Sequence, residues 1–153
     1  MRALIGAIII SLGISSLAVA QQPKASDVQV TAMVEALRKA APPQSPNDGL
    51  YSDWQIKPGI IPSWSKQCLQ REITAQQLEA NPATARAVVS CIVRRELNSQ
   101  LVSTNNNEQS AVRGTACWWM TGDYKGCRSG FTADYVKRVV ELYNKERARP
   151  ATR

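Results

Sequence analysis

The chain has 153 residues, with 19 Lys and Arg against 12 Asp and Glu, for a formal net charge of +7. It contains no histidine, which excludes Ser-His-Asp and Cys-His nucleophilic machinery and the histidine-bearing zinc sites. No glycine-rich phosphate loop is present either, so a catalytic reading must rest on carboxylates, tyrosines or lysines.

Met1-Arg2 supply a positive start, Ala3 to Leu17 an apolar run, and Ala18-Val19-Ala20 a small-residue site ahead of Gln21. This is the layout of a cleavable secretory signal peptide, cut after Ala20. The run is shorter than a membrane span needs, and Ser11, Gly13, Ser15 and Ser16 interrupt it. No cysteine flanks the cut to carry a lipid anchor, and no second apolar run follows. The expected mature chain is periplasmic or secreted, without a membrane span, and its four cysteines meet an oxidising compartment. Export separates it from most nucleic acid. A cationic exported protein meets cell-wall polysaccharide and other anionic envelope components first. The densest positive group is Lys137, Arg138, Lys145, Arg147, Arg149 and Arg153. About 130 residues remain after cleavage, enough for one domain with its own core.

Segment 21–49 reads as an N-terminal helix and a Pro-rich linker. Asp27 can cap a helix from Val28 to Ala40, with Val30, Met33, Val34 and Leu37 as its apolar stripe. Pro42-Pro43-Gln44-Ser45-Pro46 then breaks the chain. From Leu50 to Trp64 no period is legible, and Pro58-Gly59 and Pro62 argue against a long helix. Tyr51, Trp54, Ile56, Ile60, Ile61 and Trp64 are nonetheless apolar, so an extended arm lying across the core is expected. A short helix follows over Ser65–Arg71. Thr74 with Gln77 forms a capping box for a second, Ala75–Ala80. Asn81-Pro82 opens a long helix that runs to Ser103. Asn107 caps Glu108–Met120, which Gly122 stops. Thr132 caps the last helix, Ala133–Ala148, with Tyr135, Val136, Val139, Val140, Leu142 and Tyr143 on its apolar arc. The core domain is thus 50–148, with a basic tail at 149–153. The expected fold is mainly α: a small disulfide-bonded helical globule with an extended Pro-rich arm.

Cys68, Cys91, Cys117 and Cys127 allow three connectivities, and none are spaced as C-x-x-C. The preferred pairing is Cys68–Cys91, stapling two neighbouring helices, and Cys117–Cys127, closing the turn-rich loop Gly122–Gly126. Each is worth roughly 3 kcal/mol by chain entropy.

Glu96 is the one carboxylate placed to do chemistry. On the Pro82–Ser103 helix, Ala85, Val89, Ile92 and Val93 define the apolar face, and Glu96 falls between Val89 and Ile92. Such a carboxylate is paired with a nearby arginine, tucked at the helix end, or kept protonated by desolvation, and the last is what a general acid in glycoside cleavage requires. Asp123 and Glu108 are candidates for the second carboxylate by chain order. Trp118-Trp119 point about 100° apart on a helix, so one is expected in the core with Val112 and Thr115 and the other at an edge near Tyr124, free to stack on a sugar ring. Arg94-Arg95 could contact an anionic polymer.

Two resemblances add to this. The stretch Thr132–Tyr143, with its Y-V-x-x-V-x-x-x-Y pattern, is similar to the closing helix of lysozyme-like lytic transglycosylases. That resemblance implies peptidoglycan cleavage with Glu96 as acid, although Leu97-Asn98 follow Glu96 where that family has a serine. Pro62–Cys68, the helix through Cys91 and Trp118–Asp123 resemble small exported cyanobacterial proteins of unassigned activity, which implies origin and fold. The function expected is a non-catalytic binding or structural protein of the bacterial envelope with an anionic or saccharide partner, contacted through Trp118, Trp119, Tyr124, Arg94 and Arg95. The alternatives are the Glu96 enzyme and a secreted effector or inhibitor of another protein. No cofactor and no metal site is expected.

Overall fold

A computed structural model describes residues 22–45 and 48–149. The signal-peptide reading of 1–20 and Arg153 of the basic tail lie outside the described residues. Within them six α-helices follow one another: α1 (Asp27–Ala40), α2 (Ile61–Leu69), α3 (Ala75–Glu79), α4 (Pro82–Ser103), α5 (Glu108–Thr121) and α6 (Gly130–Arg147). A 3-10 turn over Pro58–Ile60 leads into α2. Among the described residues there is no β-strand, only an isolated antiparallel bridge between Tyr51 and Ile56, and no helix long and apolar enough to cross a membrane. The fold is the expected disulfide-bonded helical globule.

Local chemistry sets the helix ends. Ser26, not Asp27, caps α1: its Oγ accepts from Gln29 N, and the Gln29 side chain accepts from Ser26 N. The full capping box prevails over a lone aspartate, which instead sits in the first turn facing the helix dipole. Thr74 and Gln77 close the same box on α3. Asn81 accepts from Thr84 N at 2.9 Å and Pro82 occupies the first turn, so α4 starts and ends where the sequence places it. At the end of α5, Gly122 adopts φ +81° and donates its N–H to Trp118 O, a left-handed cap that suits glycine. α6 begins at Gly130, two residues before Thr132, whose hydroxyl bonds back to Ser129 O instead of capping.

The core is shared by α1, α4, α5 and α6. Met33, Val34 and Leu37 of α1 are buried with Val89 and Val93 of α4, Val112 of α5 and Val139 and Tyr143 of α6. α1 packs on α6 and α4, and α4 on α5, so the N-terminal helix belongs to the same core as 50–148. At the α4–α5 crossing, a Cβ on Gly114 would lie 2.1 Å from Gln100 Oε1, so the absence of a side chain there lets the helices approach. Cys68–Cys91 ties α2 to α4, and Cys117–Cys127 ties the end of α5 to the loop before α6.

The arm departs from expectation. Tyr51 and Ile56 exchange two backbone hydrogen bonds of 2.9 and 2.8 Å, folding 51–56 into a tight turn rather than an extended arm. Its tip presents Trp54, 4 % exposed, whose indole Nε1 donates to Val34 O of α1 at 2.9 Å. Arg86 covers the Trp54 ring at 5.5 Å and forms an ion pair with Glu35. The prolines do not break structure here. Pro58 and Pro62 both stand in first-turn positions, where a missing N–H costs nothing, and α2 therefore starts at Ile61 rather than Ser65.

Candidate functional site

Glu96 is built into the core edge of α4, 3 % exposed. Its Oε1 is paired with the Arg95 guanidinium at 2.5 Å and its Oε2 accepts from the Tyr124 hydroxyl. Arg95 also donates to Gln67 Oε1 of α2 and lies over the Trp118 ring at 5.6 Å. Burial, and then the neighbouring Glu96 carboxylate, push the Tyr124 phenol above its ordinary pKa, which keeps it a neutral donor. Both oxygens of Glu96 are thus engaged by protein donors. Of the two further carboxylates, Asp123 accepts from Lys125 N within its own loop. Glu108 stands at the opposite end of α5 from Trp118, about 15 Å along the helix, bound to Tyr143 and Arg147 of α6. Burial opposes its charge, but these two donors outweigh it and hold the Glu108 carboxyl below its ordinary pKa. The geometry does not assemble a carboxylate pair around Glu96.

The cationic candidates are also engaged. Arg94 donates to Ala25 O and to Asp27 Oδ1 at 2.6 Å, pinning the start of α1. In the C-terminal basic group, Arg147 pairs with Glu108, Arg149 with Glu146, and Arg138 donates to Lys39 O. The densest run of positive charge in the sequence is therefore partly consumed in holding α6 to α1 and α5.

The tryptophans behave differently from expectation. Trp118 and Trp119 are both half-buried, and neither enters the core. Trp64 of α2 takes up the contact instead. Its ring stacks on Trp118 at 6.1 Å between centroids and meets Trp119 at 5.5 Å with a 45° tilt. Tyr124 stacks on the Trp118 ring at 6.4 Å. Two neighbouring indoles on a helix can both stay at the surface when a third ring, carried by α2 on its disulfide to α4, contacts both.

This aromatic cluster forms one wall of a groove of about 850 Å³. The groove's lining combines Trp64, Trp118 and Trp119 with Trp54, Ile56 and Ile60 of the arm and turn, and with Pro42-Pro43, Met120, Phe131 and Tyr135. Phe131 is 75 % and Ile60 37 % exposed. Among the described residues, charged groups enter only at Lys57, Asp134 and Arg138. The groove thus joins Trp118 and Trp119, while Tyr124, Arg94, Arg95 and Glu96 do not line it. Sequence reasoning overlooked Trp64, Ile60, Lys57 and Phe131 as site residues. Phe131, the chain's sole phenylalanine, lies in the first turn of α6 and points to solvent.

Such a lining, mostly apolar and aromatic with a few polar groups, is what small-molecule sites present, and its volume lies within their range of roughly 300–1,000 Å³. No cluster of three or more His, Cys, Asp or Glu side chains that could hold a metal ion occurs among the described residues. Comparison with protein families, with curated proteins and with solved structures yielded no match.

Proposed function

We propose that this chain is an exported, non-catalytic binding protein of the bacterial envelope whose ligand sits in the aromatic groove. The observation that carries the reading is the groove itself: four indoles, an exposed phenylalanine and an exposed isoleucine around about 850 Å³. Exposed apolar side chains gathered in one concavity mark a binding site more often than chance packing. Two disulfides support the export reading, since such bonds persist in oxidising compartments. The engaged state of Glu96 weighs against the peptidoglycan-cleaving alternative. The scarcity of polar lining weighs against a saccharide, whose hydroxyls would lose water without gaining partners.

The test uses Nile red, a neutral dye whose emission rises in apolar surroundings. The mature chain is expected to enhance it saturably, and Ile60→Asp with Phe131→Asp, both at exposed positions, should weaken binding at least about tenfold, the effect of placing charge against an apolar ligand. Dye binding indifferent to these changes would count against the groove. Release of soluble fragments from peptidoglycan, abolished by Glu96→Gln, would replace the proposal with the enzyme.

A further inference from the structure

Resting on the groove as the binding site, we infer that its ligand is a small amphiphile with an apolar body and an anionic head group, the head held by Lys57 and Arg138. The body follows from the walls. Trp54, Trp64, Trp118, Trp119, Ile56 and Ile60 all line the groove, and among the described residues Lys57, Asp134 and Arg138 are its charged lining. The head follows from the rim. Among the described residues Lys57 and Arg138 line the groove with one carboxylate, Asp134, so its lining carries net positive charge. Lys57 is exposed at the start of the 3-10 turn, and among the described residues no carboxylate lies within ion-pairing distance of it or of Arg138. Arg138 uses one nitrogen on Lys39 O, which orients its guanidinium at the end of α1 and leaves other N–H groups for an anion. An apolar body with one anionic end satisfies both features, whereas a neutral or cationic ligand satisfies only the first.

A small molecule fits better than a protein segment. The volume falls within the small-ligand range, and the walls come from separate elements fixed by covalent crosslinks. Cys68–Cys91 anchors α2, which carries Trp64, and Cys117–Cys127 anchors the loop between Trp119 and Phe131. A cleft held open in this way binds without paying to order its walls.

Three probes of equal chain length separate the possibilities: laurate, dodecanol and dodecyltrimethylammonium, each kept below its micelle-forming concentration and titrated calorimetrically into the intact mature protein. Laurate is expected to bind one to one and about tenfold tighter than dodecanol, the scale of one charge-assisted hydrogen bond. Dodecyltrimethylammonium should bind weakest. Raised salt should narrow the gap between laurate and dodecanol. Lys57→Glu should bring laurate's affinity down to or below that of dodecanol while leaving the circular dichroism spectrum unchanged. Should the three bind equally, or Lys57→Glu leave their order intact, the anionic head is overturned and the groove reading stands. If none of the three binds although Nile red does, the amphiphile is overturned. Binding of an apolar peptide alone would overturn it in favour of a protein partner. Failure of Nile red as well would overturn the groove reading itself.

Discussion

Trp54 shows how one side chain can place a whole segment. Its ring is buried and its N–H satisfied by Val34 O, so the arm that forms one groove wall hangs on this residue. Trp54→Ala is expected to cost about 3–5 kcal/mol and to abolish Nile red enhancement, read by chemical denaturation and dye titration. Thr115 is the opposite case: fully buried, its Oγ1 has no hydrogen-bond partner among the described residues. Thr115→Val removes an unsatisfied hydroxyl at nearly constant volume and should stabilise by about 1 kcal/mol; a lower unfolding midpoint would show that the hydroxyl has a partner, such as a bound water. Glu96 was legible as a carboxylate on an apolar face, and its pairing with Arg95 was one of the three states expected there. The Tyr124 contact was not legible, because it comes from a loop 28 residues away in sequence.

Among the elements, those with chemical punctuation were read well. Asn81-Pro82 and Asn107 set the starts of α4 and α5, and the Thr74–Gln77 box set α3. The arm and the start of α2 were misread for one reason: proline serves equally to end a helix and to begin one, and only the tertiary docking of Trp54 decides which. The α4–α5 crossing is similar, since nothing local distinguishes Gly114 from any other mid-helix glycine until Gln100 is seen against it. Gly114→Ala is expected to destabilise by about 1–3 kcal/mol through overpacking, despite alanine's better helix propensity. Combined with Gln100→Ala the sign should reverse, a coupling that a double-mutant cycle measures directly. A Gly114→Ala variant as stable as its parent would mean that the Gln100 side chain swings away freely.

For the molecule as a whole, burial and ion pairing make stability depend on pH at both ends. Burial works against the charge of Glu35 and Glu108. The arginines beside Glu35, and Tyr143 with Arg147 beside Glu108, nevertheless hold both carboxyls below the ordinary value of 4.5. Their contribution is fully present above that value and is lost as pH falls through the lower folded values. Burial raises the Tyr135 phenol, and burial with the adjacent Glu108 raises that of Tyr143, above the ordinary 10.0. Their contribution is complete below that value and is lost as pH rises beyond it. Thermal unfolding across pH should therefore show a plateau bounded near these two values, and Glu108→Gln should flatten the acid limb. An acid limb unchanged in Glu108→Gln would remove that residue from the account.

At this scale the fold class and both disulfides could be read from the sequence, because helix periodicity and cysteine number are local signals. The groove could not, since the arm, α2, the end of α5 and the start of α6 each contribute a wall and no one segment reveals the concavity. The most direct measurement is a nitrogen-15 correlation spectrum of the four tryptophan indole N–H groups during titration with laurate. Saturable shifts of the Trp64, Trp118 and Trp119 signals, with Trp54 moving least because its N–H is held by Val34 O, are the predicted result. Signals of all four indoles that stay fixed throughout the titration and throughout an equivalent one with Nile red would contradict it.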